Sequence, residues 1–572
     1  MSKIIRDKII ICTLIVLISL VYGLPNLILS KKLGNLYAPI TMNGLSPFGR
    51  DEAYAYAPSV NYILSRNFPL KEAYVYEYLN FPTPFMGETL PATIMAFLSK
   101  LSGQIDKSFL IADFIFPPLI FLLLFIVCRI LGVSHIWAVS SAIAATISRD
   151  FIAAIPYPLK TIQILTFSEG QNFPLYFSRA FHPQITFPLF SIFLISLLLQ
   201  IKNKNAKYTK IITGITLGGL FYSYVFYWTY AVFFLFLLLL YFLIKKETKI
   251  IKDILISLTL ALVIATPYLK NMLDFYNLEL SSDFSSKAAL HGLPLPLTLI
   301  RYIFIASIFL LISKKKNNTV TVFAIFLVSG VLIAPVAKII LGQDLETFHY
   351  LRRALMPYAT LAFFISVYNL VKVKTKLTNI LACALIILFV FIGTRNQLIA
   401  TNKIESAHVK DLDQRSVLNW LATNANNSVV GSLDTNLNLL LPVYTNSFTY
   451  FPSTDRTVMP TAEGIQRFIV LSNLLNISLE KQKESLLNLL SYLFIFQAYD
   501  GSRGLDPNSP RRWEAEEQIT KKYNNADDLY NKYKLDYLVL TPSQIKIAKP
   551  DTKFLTAITS INEYIIFKLK KQ

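Results

Sequence analysis

About eleven stretches of this chain are runs of mostly apolar residues long enough to matter to a lipid bilayer. They fall at 9–29, 108–130, 134–148, 184–201, 209–228, 229–244, 251–269, 295–313, 319–340, 354–371 and 377–394. A helix rises about 1.5 Å per residue, so about 20 apolar residues cross a hydrocarbon core of about 30 Å. Backbone groups inside lipid must be satisfied within the segment, so each run must be helical. The expected fold is therefore mostly α, a polytopic membrane protein with about eleven transmembrane helices, of which 134–148 is the shortest. The stretch 88–101 ("ETLPATIMAFLSKL") is too short and polar to span and suits an amphipathic helix at the interface. The N-terminus opens like a signal peptide, with Lys3, Arg6 and Lys8 before an apolar run. That run is long and lacks a small-x-small cleavage site, so it reads as an uncleaved helix.

Composition agrees: 54% of the 572 residues are hydrophobic. The excess of 55 Lys+Arg over 35 Asp+Glu gives +20. In a soluble chain that would raise nucleic acid as a partner. Here it is topological, and no nucleic acid is expected. With the N-terminus in the cytoplasm, the connections "KNKNAKYTK", "KKETKIIKD", "SKKKNN" and "KVKTK" join Arg129 and the N-terminus on the inner face. That face then holds about 18 basic and 3 acidic residues, against about 16 and 13 outside, which is the positive-inside pattern. An odd helix number leaves the C-terminus outside. The expected location is a plasma membrane, multi-pass, with the lipid bilayer itself as a partner. The three cysteines, Cys12, Cys128 and Cys383, lie in apolar runs without metal-ligand or disulfide spacing. Charge is nearly absent from the interiors of the runs; Asp113, Arg301 and Lys338 sit near predicted ends. Ion-coupled transporters usually keep ionisable residues at mid-membrane depth.

The division expected is a membrane domain over 1–395, with a long first outer loop at 30–107, and a soluble extracytoplasmic α/β domain over 396–572. In the second part "NSVVGSL", "NSFTYFPS", "LDYLVLTP" and "EYIIFKLK" read as strands, and helices are predicted near 461–497 and 512–533.

The first outer loop is dense in Tyr, Phe and Pro and contains "GRDEAYAY", with Arg50, Asp51 and Glu52. A loop of this length in a compact protein is usually functional or disordered, and its composition speaks against disorder. Alone, an acid pair here is an ordinary first-turn pair of a helix over 51–66, favoured by the helix dipole. A second outer loop, 149–184, gathers Glu169, Arg179, His182 and Gln184; a third, 341–353, brings His349, Arg352 and Arg353 to the start of a helix. Alone, each His is an interfacial side chain and the Arg pair an anchor to lipid phosphates. On one face together, these groups suit sugar transfer from a polyprenyl phosphate. A carboxylate takes the proton of the attacking hydroxyl, and arginines hold the leaving phosphate, bidentately. The run "LFYSYVFYWTYAVFF" (220–234) reads as an interfacial aromatic belt, or else as a platform on which a sugar stacks. No Gly-rich phosphate loop precedes a helix, and the inner loops are too short for a nucleotide-sugar domain.

"GRDEAYAY" just after the first helix, with the helix count and the C-terminal α/β segment, resembles the GT-C superfamily of polytopic glycosyltransferases. That superfamily includes the protein O-mannosyltransferases and the bacterial aminoarabinose-to-lipid A transferases. The resemblance implies that Asp51, with Glu52 beside it, is the catalytic acidic site. The remaining roles follow from position. Arg50, Glu169, Arg179, His182, Gln184, His349, Arg352 and Arg353 are candidate substrate-binding residues. The expected activity is transfer, with inversion, of a hexosyl or pentosyl group from a polyprenyl-phosphate sugar to a glycan, lipid or protein acceptor. Some members of the superfamily use a divalent cation, but adjacent residues of a regular helix rarely ligate one ion, so no metal or other cofactor is expected. Two alternatives remain: a flippase or transporter of lipid-linked glycans, and a non-catalytic membrane assembly protein.

Overall fold

The computed structural model describes residues 3–40, 56–66, 68–147, 174–203, 207–288, 298–312, 318–341, 349–371, 375–403, 405–493, 499–500, 504–505, 510–523 and 530–570. Its first fourteen helices are α1 (Lys3–Leu33), α2 (Ala57–Ser65), α3 (Thr89–Ser102), α4 (Ile105–Ile130), α5 (His135–Ile147), α6 (Thr186–Lys202), α7 (Lys207–Leu220), α8 (Val225–Ile244), α9 (Thr248–Tyr276), α10 (Leu280–Ala288), α11 (Thr298–Ile312), α12 (Asn318–Leu341), α13 (Met356–Val371) and α14 (Thr375–Lys403). Each of the eleven apolar runs carries a helix. Among the described residues eight helices are long and apolar enough to cross a membrane, and α5 and α11 are shorter apolar helices.

One boundary differs from expectation. The run 209–228 is not a single helix: α7 stops at Leu220, the chain turns through Phe221–Tyr224, and α8 starts at Val225. The aromatic residues are equally apolar on both sides of the turn, so hydropathy does not mark it. Side chains fix it instead, with the Tyr222 hydroxyl donating to the Ile264 carbonyl at 2.9 Å. The helices α7 and α9 approach closely at Gly214 and Gly218, where an added Cβ would lie 2.8 Å from the Ser257 carbonyl oxygen and 2.7 Å from Ile264 Cβ. The core between α6, α8, α12 and α13 is aromatic. Phe190 stacks on Tyr227 with centroids 4.7 Å apart, and Tyr230 on Phe326 at 4.9 Å.

Two wide π-type turns, Ala180–Ile185 and Tyr350–Leu355, open α6 and α13. In the first, the Gln184 amide bonds back five residues to the Arg179 carbonyl at 3.2 Å. Such turns re-aim side chains and are frequent at functional sites.

The C-terminal unit alternates helix and strand: α15 (Leu412–Asn424), β1 (Val429–Gly431), α16 (Thr435–Tyr444), β2 (Phe448–Thr449), α17 (Thr461–Leu474), α18 (Leu479–Leu493), β3 (Tyr499–Asp500), β4 (Gly504–Leu505), α19 (Pro510–Lys522), β5 (Tyr537–Leu540), β6 (Leu555–Ile561) and β7 (Tyr564–Leu569). Five strands form one sheet in the order β2-β1-β5-β7-β6; β2, β1 and β5 run parallel, and β7 and β6 add antiparallel. Alternation along the strands splits the core in two. Val429, Leu538, Leu540 and Phe567 face α17 and α18, while Val430, Val539 and Ile566 face α15 and α16. All four predicted strands are present. The helix predicted over 461–497 breaks where Asn476 turns with φ 50°, a conformation Asn tolerates better than most residues. This unit sits against the membrane helices: Val443 of α16 joins a core with Val60 of α2 and Met95 of α3. The chain also pairs with itself in one antiparallel bridge between Tyr37 and Val409.

Candidate functional site

The described chain resumes after the first loop's acid pair at Tyr56, and Tyr56 is the centre of the site. Its ring is buried, stacked on Phe181 at 4.5 Å and meeting the His182 ring edge-on at 5.1 Å. Two guanidiniums lie over it, Arg179 at 5.9 Å and Arg456 at 5.6 Å. Burial pushes the Tyr56 hydroxyl up, opposed by the positive charge of Arg179, Arg353 and Arg456. Tyr56 is therefore a neutral ring surrounded by cations.

His182 is wholly buried between two aromatic rings. Its other face stacks on Tyr224 at 3.9 Å, and its Nδ1 lies 3.2 Å from the Thr186 hydroxyl. Its Nε2 has no hydrogen-bond partner among the described residues and faces Glu88 Oε1 at 3.8 Å. Glu88 precedes α3 and also lies 3.9 Å from Arg456 Nη1. Burial pushes the Glu88 carboxyl up, but His182, Arg456 and Arg353 outweigh it and hold it below the usual carboxylate range. Glu88 is thus an anion at neutral pH.

Tyr224 ties this group to the third loop. Arg353 Nη1 donates to its hydroxyl at 2.6 Å, and the hydroxyl lies 3.1 Å from His349 Nδ1. A guanidinium can only donate. The Tyr224 hydroxyl therefore accepts from Arg353 and shares a second hydrogen bond with His349 Nδ1. Burial, with the repulsion of Arg353, Arg179, His182 and Arg352, keeps the His349 pKa well below its usual value, so this ring is neutral.

Of the residues singled out in the sequence, Arg179, His182, His349 and Arg353 come together here. Arg352 does not: it is exposed, because neighbours on a helical turn point about 100° apart. Gln184 does not face the cations either. Its Nε2 donates to Asp113 Oδ1 at 2.7 Å, and Asn26 donates to Oδ2 at 2.7 Å, a buried amide–carboxylate–amide node joining α1, α4 and α6. Arg50, Asp51, Glu52 and Glu169 lie outside the described residues. Sequence reasoning missed four members. Glu88 falls in the stretch 88–101 expected as an interfacial helix, and neither Tyr56 nor Arg456 is singled out by the sequence. Tyr224 lies in the run 220–234, which reads as an aromatic belt or a sugar-stacking platform; in the structure it is buried beside His182. Among the described residues no group of three or more His, Cys, Asp and Glu could hold a metal ion.

No family model matches this chain, and no curated protein is similar to it in sequence. Solved structures are similar in fold. The structure of ArnT from Cupriavidus metallidurans, bound to undecaprenyl phosphate, aligns with a TM-score of 0.50 at 8% identity, over 95% of this chain and 96% of that one. This chain has the GT-C fold. At this identity the likeness is one of architecture, and it extends over the membrane helices and the C-terminal unit together. Lower scores are found with the oligosaccharyltransferase of Archaeoglobus fulgidus (TM-score 0.45, 12% identity, 91% of this chain and 69% of that one) and the mycobacterial arabinofuranosyltransferase AftD (0.46, 10%, 97% and 41%). Within its GT-C fold, the cation cluster lies where the first ends of α6, α8 and α13 meet the start of α2.

Proposed function

We propose that this chain transfers a sugar, with inversion, from a polyprenyl-phosphate donor to an acceptor on the outer face of the membrane. Asp51 is the general base, and Glu52 supports it or orients the acceptor. Arg179 and Arg353 hold the departing phosphate. His182 and His349 line the site, with Arg50 and Glu169 at its edge and Arg352 on its exposed side. The observation that carries this reading is the gathering of guanidiniums from separate loops around Tyr56, four residues after Glu52 in the chain. A phosphate leaving a sugar develops negative charge, and fixed cations aimed at it lower the barrier. Glycosidases set a carboxylate and a leaving-group stabiliser on two sides of the anomeric carbon; here the second role falls to arginine. The packed apolar helices offer the lipid tail a path to the same point. The soluble segment 396–572 is assigned outside, with the N-terminus in the cytoplasm.

The test is sugar transfer by purified protein in lipid, using a panel of polyprenyl-phosphate sugars. Asp51→Asn keeps the shape and removes the base, so kcat is expected to fall about 10²- to 10⁴-fold with donor binding retained. Unchanged turnover would remove Asp51 from the mechanism. Movement of lipid-linked sugar across the bilayer, with no transfer by the wild type, would make the protein a flippase instead.

A further inference from the structure

Two polar groups of the site face each other, and they do not bond to each other. His182 is wholly buried, with its ring flat on Tyr224 and edge-on to Tyr56, so it has no room to turn. Its Nδ1 meets the Thr186 hydroxyl at 3.2 Å, but its Nε2 is shut off from solvent with no hydrogen-bond partner among the described residues. Across from Nε2 is Glu88 Oε1, at 3.8 Å. Glu88 occupies the N-cap position of α3, yet its side chain caps nothing there. A second charged neighbour, Arg456 Nη1, stands off at 3.9 Å. Both separations exceed a hydrogen bond. Native proteins rarely leave a buried polar atom unbonded, and a role in the site or a bound water is the usual reason.

The gap suits one hydroxyl. Two atoms 3.8 Å apart can share a single oxygen placed about 2.8 Å from each. A carboxylate only accepts hydrogen bonds, whereas a hydroxyl both donates and accepts. With a proton on Nε2, which a facing carboxylate favours, one hydroxyl accepts from His182 and donates to Glu88. An anion in the gap would be repelled by Glu88, and a cation by Arg456 and Arg353, whose charge acts on Glu88. The open side is that of Glu88, whose side chain is 20% exposed. We infer that Glu88 and His182 together bind one hydroxyl of the sugar being transferred, and so discriminate among sugars. This rests on the reading given under Proposed function. If Arg353 holds the phosphate, a hydroxyl beside Glu88 belongs to the sugar joined to that phosphate.

The experiment uses the full chain in lipid nanodiscs. It reads Kd for undecaprenyl phosphate, for undecaprenyl-phosphoryl hexoses and pentoses, and for mono-deoxy forms of the tightest of these. The wild type is expected to bind one mono-deoxy form about 10- to 100-fold more weakly than the full sugar, the loss of one charge-assisted hydrogen bond. Glu88→Gln keeps the shape and removes the charge; His182→Phe keeps a ring and removes both nitrogens. Each is expected to bind the full sugar as weakly as the wild type binds that deoxy form, and no longer to tell the two apart. Bare undecaprenyl phosphate should bind Glu88→Gln at least as tightly as the wild type, since a carboxylate beside Arg456 and Arg353 is gone. Variants that discriminate as the wild type does would mean that the gap holds a water only. That result, or a wild type indifferent to every deoxygenation, overturns this inference and spares the transferase reading. No binding of any of these lipids by the wild type overturns both. If a variant loses the bare lipid as well, its fold is damaged, and Glu88→Asp, which keeps the charge and shortens its reach, carries the decision: discrimination retained there overturns the inference, and discrimination lost with bare-lipid binding intact supports it.

Discussion

The hydroxyl of Tyr224 accepts a hydrogen bond from Arg353 and shares another with His349 Nδ1. Removing that oxygen while keeping the ring isolates the polar contribution, because the stacking on His182 survives. Tyr224→Phe is expected to weaken binding of undecaprenyl phosphate about tenfold through a less fixed Arg353, with a stability loss of about 1–3 kcal/mol. Binding and melting temperature both unchanged would show that the hydroxyl positions nothing. Glu72 makes a different prediction. Burial pushes its carboxyl up to about 7, although the amides of Tyr74, Val458 and Val75 pull it down. The unfolded value is about 4.3, so between the two the native state binds the proton more tightly. Its contribution to stability is therefore complete below the unfolded value and lost as pH rises through about 7, a swing on the order of 3 kcal/mol. Exchange at 457–461, corrected for intrinsic rates, should be faster at about pH 8.5 than at about pH 6, and Glu72→Gln should flatten the difference. Equal protection at both pH values in the wild type would sink this reading of Glu72. At this scale the sequence was only half legible. The histidines and arginines beside a helix start announce themselves by residue type. Tyr56, Glu88 and Arg456 belong to common types whose importance comes from a fold that brings residues 56, 88, 182 and 456 together.

Apolar runs about 20 residues long can hardly be anything but helices, and strands with period-2 alternation bury both faces of a sheet, so the elements were largely readable. The turn at Phe221–Tyr224 was not, because a change of direction inside an all-aromatic run leaves no mark on hydropathy. The π-type turns before α6 and α13 were not readable either; they show only as an amide bonded one residue further back than usual. One packing device is written in the sequence and gains meaning from the structure. Gly214 and Gly218 are four apart on α7, and both face α9 at distances that leave no room for a side chain. Small residues at this spacing let two membrane helices approach closely. Gly214→Val would drive a branched side chain against the Ser257 carbonyl, which cannot move without its helix. Overpacking of this kind costs about 1–3 kcal/mol, so the variant should melt lower in detergent and be cut faster by protease. A variant as stable as the wild type would mean that α7 and α9 slide apart at little cost.

At the scale of the whole molecule, charge and fold bear on the same question, which side of the membrane holds the site. The first ends of α6, α8 and α13 reach the site through His182, Tyr224 and Arg353, and the first end of α4 meets the C-terminal unit through Asp106, which accepts from the Tyr444 hydroxyl at 2.8 Å. The opposite ends of the same helices carry or lead into basic residues: Arg129 in the last turn of α4, Lys202 in the last turn of α6, Lys245 and Lys246 after α8, and Lys372, Lys374 and Lys376 after α13 in the sequence. The site and the C-terminal unit thus share one face, and the short basic connections occupy the other. Basic connections tend to stay in the cytoplasm, so the orientation proposed above predicts the cation cluster outside, where a lipid-linked sugar already carried across the bilayer would be presented. A single cysteine in a background free of Cys12, Cys128 and Cys383 reads this directly. An impermeant maleimide applied to intact cells is expected to label Lys549→Cys, exposed on the C-terminal unit, and to label Lys245→Cys only after permeabilisation. The reverse pattern would place the cluster in the cytoplasm, where it would meet donors on the leaflet in which they are made. Transfer at the outer face would then be excluded even with Asp51 as the base.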